Sequence, residues 1–319
     1  MKKKKLTSIL SGAIMVLLMS TVVGFNVRER NFEQKELVLA QKTILSDSSL
    51  NNVSKQVDRI ESAKQTAKGY IGSKDVGVYC IDLNSGKSFG INENKIYYSA
   101  STGKLPGILY TQKKLNEGTI SADTQFKYHD YVNDISGAMI RGGTGKLQNN
   151  IYDGKSVSVV TLLKYTCSYS DNLASNMLGY YVCDKNNGTF KSYISNIISR
   201  NIVKFSKEFS AKETALLMKS VYNQGGQSIK NLQNTNWDKV KIPKYLPVKV
   251  AHKIGINGAY NHDVAVVYAN NPYVISIMTN GGSDEFIAQL SKKIYGEFIT
   301  FNSDSSEDEM ELKTSLNRN

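Results

Sequence analysis

The stretch Ser99-Ala100-Ser101-Thr102-Gly103-Lys104 contains the only Ser-x-x-Lys spacing in this chain of 319 residues. The semi-apolar run that follows it predicts a helix through about residue 115. Residues three apart share a face of a helix, so the hydroxyl of Ser101 and the amine of Lys104 are expected to meet. A serine beside an amine that loses its proton is an activated nucleophile. The stretch therefore predicts nucleophilic chemistry at the start of a helix.

The residues on either side of this helix predict an antiparallel sheet. Apolar residues at helical spacing predict a first helix over residues 53–70, and two β-rich runs follow it at residues 76–83 and 88–92. Three more β-rich runs lie towards the C-terminus and are separated by turn residues, which is typical of a meander. These runs span residues 248–256, 262–268 and 273–279, and a pattern over residues 285–298 predicts a closing helix.

The middle of the chain is mostly helical in pattern. Residues 157–181 predict a pair of helices, and Ser210 with Glu213 predicts the capped start of another, whereas residues 119–154 are interpreted as loop-rich. Strands at both ends predict an α+β fold, in which an antiparallel sheet is flanked by helices and the helical middle forms a second lobe. We expect a ligand site between these lobes.

Composition divides the chain into four segments. Residues 1–25 combine lysines with an apolar run, which is typical both of a secretory signal peptide and of a membrane anchor. Residues 26–54 predict a polar linker, residues 55–300 the catalytic domain, and residues 301–319 an acidic disordered tail. Lysines that precede such an apolar run stay on the cytoplasmic side of the membrane. We therefore expect the domain to lie outside the cytoplasm, either secreted or anchored to the cell membrane.

Charge and metal-binding residue types narrow the class of partner. The net charge is +12, but no stripe of basic residues with interleaved aromatics lies outside the N-terminus, so we predict no nucleic-acid partner. Attraction to anionic cell-envelope polymers or to a membrane surface is the preferred interpretation. The three histidines have no ligand spacing, and we predict no metal and no cofactor. Three cysteines allow at most one disulfide.

Two further motifs follow the first one, Ser170-Asp171-Asn172 and Lys253-Ile254-Gly255. In this order, and on a predicted helix, helix end and strand, the three motifs resemble those of class A β-lactamases and penicillin-binding proteins. The Gly-rich segment at residues 143–148 and the run at residues 250–255 extend the likeness. The resemblance covers about residues 60–298 and points to a class A β-lactamase-like serine hydrolase.

The resemblance implies four catalytic residues. Ser101 would attack a β-lactam or a D-Ala-D-Ala peptide bond and form an acyl-enzyme. Lys104 would take the proton of Ser101, which requires a lowered lysine pKa. Ser170 would pass the proton to the departing nitrogen, and Lys253 would attract the substrate carboxylate and stabilise developing charge.

The resemblance also implies three substrate-binding residues. Asn172 would hold the amide side chain of the substrate. Gly255 and Ile256, on the predicted strand, would also bind the substrate. The backbone N–H groups of Ser101 and Ile256 would form an oxyanion hole, in which one donor contributes on the order of 3 kcal/mol. Asp171 is interpreted as a helix cap.

Two departures from the family pattern affect turnover and recognition. The deacylating Glu-x-x-Leu-Asn pattern is missing, and the only carboxylates between residues 173 and 210 are Asp184 and Glu208. Deacylation is therefore expected to be slow unless Glu208 substitutes. Ile254 replaces a threonine that helps to bind the substrate carboxylate, a loss of about 1.5–3 kcal/mol. Arg141 and His252 are the basic residues that remain for that carboxylate.

These observations predict an exported active-site serine hydrolase that forms an acyl-enzyme with β-lactams or cell-wall peptides. Two alternatives stay open, a penicillin-binding D,D-peptidase acting on peptidoglycan and a non-catalytic receptor for β-lactams or muropeptides. The expected partner is the β-lactam or peptidoglycan peptide itself, together with the membrane if the N-terminal segment is uncleaved. The sequence leaves the oligomeric state open.

Overall fold

The computed structural model describes residues 59–299. The predictions for residues 1–25, 26–54 and 301–319, and for the start of the first helix, lie outside this range. Within it, no helix has the length and apolar character needed to cross a membrane.

The centre of the domain is a five-stranded antiparallel sheet made from the two ends of the described chain. Across the sheet, its strands are β2 (Ser88–Ile91), β1 (Val76–Asp82), β9 (Tyr273–Asn280), β8 (Tyr260–Val267) and β7 (Val250–Asn257). β1 pairs with β9 over its whole length, and β7, β8 and β9 form the predicted meander. The predicted α+β fold is confirmed.

Helices cover both faces of this sheet. On one face lie α1 (59–71) and α8 (284–299), which share a core with alternate strand residues such as Ala265 and Val267. Val264 and Val266 point the other way, into the core of the helical lobe. That lobe contains α2 (Leu105–Asn116), α3 (Val159–Ser168), α4 (Asn172–Leu178), α5 (Asn187–Ile198), α6 (Ala211–Gln224) and α7 (Gly226–Leu232). Because successive side chains of a strand alternate, both faces of β8 are apolar.

Several predicted details are confirmed and others were missed. Ser210 and Glu213 form the predicted capping box at the start of α6. Helices α5 and α7 were not predicted, and neither were two short strand pairs, in which β3 (Ile96–Tyr98) pairs with β6 (Glu208–Ser210) and β4 (Gln125–Lys127) with β5 (Ser156–Ser158). All three cysteines lie in the described residues as buried free thiols.

Candidate active site

Ser101 lies in a 3₁₀ turn and not in the α-helix that the sequence predicted. The turn spans Ala100–Lys104 and leads directly into α2, whose first turn contains Pro106. Side chains three residues apart eclipse one another in a 3₁₀ helix, which brings Lys104 close to Ser101. Their Nζ and Oγ atoms are 2.9 Å apart. The predicted pairing of hydroxyl and amine is therefore present, on a tighter turn than expected.

Lys104 is buried and surrounded by oxygen atoms. Besides Ser101 Oγ, its Nζ contacts the carbonyl oxygen of Ser170 at 2.7 Å, Ser170 Oγ at 3.1 Å and Asn172 Oδ1 at 2.8 Å. A protonated lysine has three N–H donors. After Lys104 loses a proton it keeps two N–H donors, which the carbonyl oxygen of Ser170 and Asn172 Oδ1 accept, and gains a lone pair that accepts from the hydroxyl of Ser101. Burial, and next the charge of Lys253, hold the pKa of Lys104 well below its usual range.

Ser170 joins the two buried lysines of the site. Its Oγ lies 3.1 Å from the Nζ of Lys104 and accepts a hydrogen bond of 2.7 Å from the Nζ of Lys253. The backbone of Ser170 is left-handed, with φ of 50°. A non-glycine residue in this region stores about 1–3 kcal/mol of strain and needs surrounding structure to hold it.

Asp171 supplies part of that support. Its carboxylate accepts hydrogen bonds from three backbone N–H groups, those of Ala174 at the start of α4 and of Lys146 and Leu147 in the neighbouring loop. The loop comes so close that a Cβ on Gly145 would lie 2.7 Å from this carboxylate. Asp171 therefore caps α4 and fixes the loop over the site, in agreement with its interpretation as a cap.

Lys253 reaches the site from β7. It is 1% exposed, and its Nζ donates to Ser170 Oγ and, at 3.1 Å, to the carbonyl oxygen of Ile254. The ring of Trp237 lies 5.9 Å from the same amine. Burial lowers the pKa of Lys253 to about 7. The charge of Lys253 therefore changes near neutral pH.

The substrate-binding residues predicted on the sequence occupy the same place. Asn172 binds Lys104 through Oδ1, and its Nδ2 donates to the carbonyl oxygens of Ile140 and Gly142, both at 2.9 Å. A Cβ on Gly255 would lie 2.6 Å from the carbonyl oxygen of Ser99, so β7 packs against the nucleophile turn only with glycine there.

These residues surround a pocket of about 300 Å³. Ser101, Ser170, Asn172, Ile254 and Ile256 line it, and no residue that lines it within the described chain has a carboxylate. Sequence reasoning missed several lining residues, which come from separate loops and short strands without a motif: Tyr98, Met139, Lys207 and Trp237. Only a resemblance that extended through those loops could have indicated them.

Comparison with known protein families identifies the family to which the chain belongs. The model of the beta-lactamase enzyme family matches residues 52–298, more than half of the chain. The chain belongs to the beta-lactamase enzyme family.

Solved structures share the fold of this beta-lactamase family member. TLA-1 extended spectrum beta-lactamase is 21% identical, with a TM-score of 0.64 over 75% of this chain and 99% of its own. A variant of PBP-A, in an acyl-enzyme complex with penicillin G, is 20% identical, with a TM-score of 0.62 over 75% and 97%. The beta-lactamase of Sphaerobacter thermophilus DSM 20745 is 16% identical, with a TM-score of 0.60 over 75% and 96%. At these identities the likeness establishes the fold.

Four charged residues singled out on the sequence lie outside the pocket of this beta-lactamase family member. Arg141 pairs with Asp130 and Asp134, and His252 is buried against Asp263 and Asp238. Although burial lowers the pKa of His252, these aspartate charges raise it to about 9. Neither Arg141 nor His252 lines the pocket. Two carboxylates, Asp184 and Glu208, are exposed and do not line it. In residues 59–299, no three His, Cys, Asp or Glu side chains gather as a metal site.

Proposed function

We propose that this protein is an exported serine hydrolase that forms an acyl-enzyme at Ser101 with β-lactams or cell-wall peptides. The observation that carries the proposal is the 2.9 Å contact between Ser101 Oγ and the buried Nζ of Lys104, whose pKa is lowered. A lysine whose pKa is lowered loses its proton more readily and can then activate a hydroxyl beside it.

In the proposed acylation, Ser101 Oγ bonds to the carbonyl carbon of the substrate while Lys104 takes the hydroxyl proton. The backbone N–H groups of Ser101 and Ile256 stabilise the oxyanion. When the carbon–nitrogen bond breaks, the leaving nitrogen takes the proton through Ser170. This route agrees with the position of Ser170 Oγ, which contacts the amines of both Lys104 and Lys253.

Lys253 and the substrate-binding residues orient the acyl donor in this proposal. Protonated Lys253 attracts the substrate carboxylate and stabilises charge that develops at the reacting carbonyl group. Asn172 holds the amide side chain of the substrate beside Lys104, and Gly255 lets β7 approach the nucleophile turn. No metal and no cofactor takes part.

Slow deacylation is part of the proposal. Hydrolysis of the acyl-enzyme needs a base that activates water. Such a base typically raises the reaction rate by about 10²- to 10⁴-fold. The residues of the described chain that line the pocket provide no carboxylate for this task. The same observation favours a second candidate, a penicillin-binding D,D-peptidase acting on peptidoglycan.

The test is a comparison of acylation with turnover in the purified protein. It is incubated with a fluorescent penicillin and with a chromogenic cephalosporin, and its intact mass is measured over time. We expect a long-lived adduct that is absent in the Ser101→Ala variant. Rapid cephalosporin turnover would refute the slow deacylation. Absence of both adduct and turnover would leave a non-catalytic receptor or another substrate.

A further inference from the structure

A second cavity, which we call the Gly107 cavity, lies directly beside the nucleophile turn. Its volume is about 130 Å³, and Gly103, Lys104 and Gly107 form its wall on the side of α2. The other walls include the apolar residues Ile135, Met139, Phe190 and Phe205, and they also include the charged residues Asp184, Lys191 and Lys204, of which Asp184 and Lys204 are exposed. An engineered cavity of about 150 Å³ with apolar walls holds one benzene molecule. The Gly107 cavity thus has room for an apolar group of about five or six carbon atoms.

The polar groups in its inner walls are satisfied within the protein. Asn176 accepts from the backbone N–H of Met139 and donates to its carbonyl oxygen, at 2.7 and 2.9 Å. The hydroxyl of Ser136 donates to the carbonyl oxygen of Phe205 at 2.8 Å. Among the described residues, the buried side-chain atoms without a hydrogen-bond partner all belong to residues outside this cavity. The inner part of the cavity, beside Met139 and Asn176, thus offers water few free partners, which favours an apolar occupant there.

The cavity and the Ser101 pocket share a lining residue, and its side chain is flexible. Met139 is the one residue of the described chain that lines both spaces. Asn176 fixes its backbone from both sides, so only the side chain is left to move. Methionine is unbranched and has three rotatable bonds, which makes it suited to this movement.

We propose that the Gly107 cavity is an acyl-chain site. It receives the uncharged, apolar end of the acyl group that Ser101 carries, and this end enters from the Ser101 pocket past the side chain of Met139. The substrate class is then an amide or ester whose acyl part ends in a short alkyl chain or one phenyl ring. The inference rests on the proposed function, since it requires an acyl group on Ser101.

Gly107 offers a way to fill the cavity without replacing a catalytic residue. A Cβ on Gly107 would meet only the thiol of Cys183, at 3.8 Å, so a larger side chain extends into the free space. Gly69, on the exposed face of α1, has nothing within 4 Å of its Cβ position. Gly107→Leu is therefore the test variant and Gly69→Leu the matched control. Gly107→Ala is a milder filling variant should Gly107→Leu fail to fold.

The experiment measures the acylation of Ser101 by 4-nitrophenyl acetate and 4-nitrophenyl hexanoate, from nitrophenolate release and intact mass. Each methylene group moved from water to an apolar site favours binding about fourfold. We expect kcat/KM for acylation by hexanoate to exceed that by acetate by about tenfold to about 200-fold in the wild type and in Gly69→Leu. In Gly107→Leu the two esters should agree within about threefold, and Gly107→Ala should fall between.

Other outcomes separate the two proposals. Equal rates with both esters in the wild type, or the same preference in wild type and Gly107→Leu, would overturn the acyl-chain site while the acylating function stands. No acylation by either ester, in protein that the fluorescent penicillin still acylates at Ser101, would overturn the acyl-chain site alone, whereas no adduct with either the esters or the penicillin would overturn the proposed function and with it the acyl role of the cavity. Benzene then tests whether the cavity binds apolar ligands at all, by raising the melting temperature of the wild type and of Gly69→Leu but not of Gly107→Leu.

Discussion

Replacing Ile254 by threonine is expected to make the pocket wall bind a carboxylate. Ile254 is 5% exposed and lines the pocket beside Lys253. In the enzymes that the chain resembles, a threonine hydroxyl at this place helps to bind the substrate carboxylate. A hydrogen bond to a charged group contributes about 1.5–3 kcal/mol. When this hydrogen bond forms in the transition state for acylation, it raises the acylation rate by about 10- to 150-fold.

The assay compares benzylpenicillin with its methyl ester, which has the same β-lactam but no carboxylate charge. The second-order rate constant for acylation of Ser101 is measured for both compounds by intact mass. We expect Ile254→Thr to raise the preference for the acid over the ester by about tenfold or more.

Ile254→Val is the matched control, because it removes a methyl group and adds no hydroxyl. It should lower the free energy of unfolding by about 0.5–1.5 kcal/mol and leave the preference unchanged within about twofold. Equal preferences in the threonine and valine variants would refute the reasoning, since the carboxylate would then not reach position 254.

Three further outcomes follow from the buried charges and the close packing. The acylation rate should rise with pH as Lys104 loses its proton and fall above about pH 7 as Lys253 loses its proton. The Lys253→Arg variant stays protonated and should keep a high acylation rate on the alkaline side. Identical pH profiles for the wild type and Lys253→Arg would contradict this prediction. The pKa of His252 is lowered by burial but raised overall to about 9 by two aspartate charges, above the ordinary value of about 6.5. Its stabilising effect is thus complete below about pH 6.5 and is lost as the pH rises through about 9. Urea unfolding of His252→Gln should show a deficit at pH 6 that shrinks at pH 9.5, and a constant deficit would be the contrary result. Gly255→Ala should lower the free energy of unfolding by about 1–3 kcal/mol and slow acylation, because a Cβ meets the backbone of the nucleophile turn. Gly69→Ala should stabilise by about 0.4–1 kcal/mol, and equal urea midpoints for the two alanine variants would argue against close packing at Gly255.

The sheet and most of the long helices could be predicted because their patterns are local. The three C-terminal strands are β-rich runs separated by turn residues, and their predicted bounds agree with the structure within two residues. The strand pairs formed by residues 96–98 with 208–210, and by 125–127 with 156–158, are only three residues long. Such pairs depend on tertiary contact between distant segments, which no local pattern shows.

The site divides in the same way. Ser101, Lys104, Ser170 and Lys253 could be predicted to meet because each belongs to a short motif, and the motifs stand in a known order. Trp237 and Lys207 belong to no motif and reach the pocket only through the fold. The eclipsed geometry of the 3₁₀ turn was missed as well, since a spacing of three residues fits an α-helix equally well.

The contacts of Lys104 suggest why acylation and hydrolysis can be separated in this site. Acylation needs a proton acceptor at Ser101 Oγ, and the buried amine of Lys104 is held there by Ser170 and Asn172. Hydrolysis needs a second base beside a water molecule, and the described residues around the pocket include no carboxylate. Because such a base raises the rate of hydrolysis by about 10²- to 10⁴-fold, acylation of Ser101 can be fast while deacylation is slow. The rate of hydrolysis, more than the rate of acylation, therefore decides between a β-lactam hydrolase and a penicillin-binding protein.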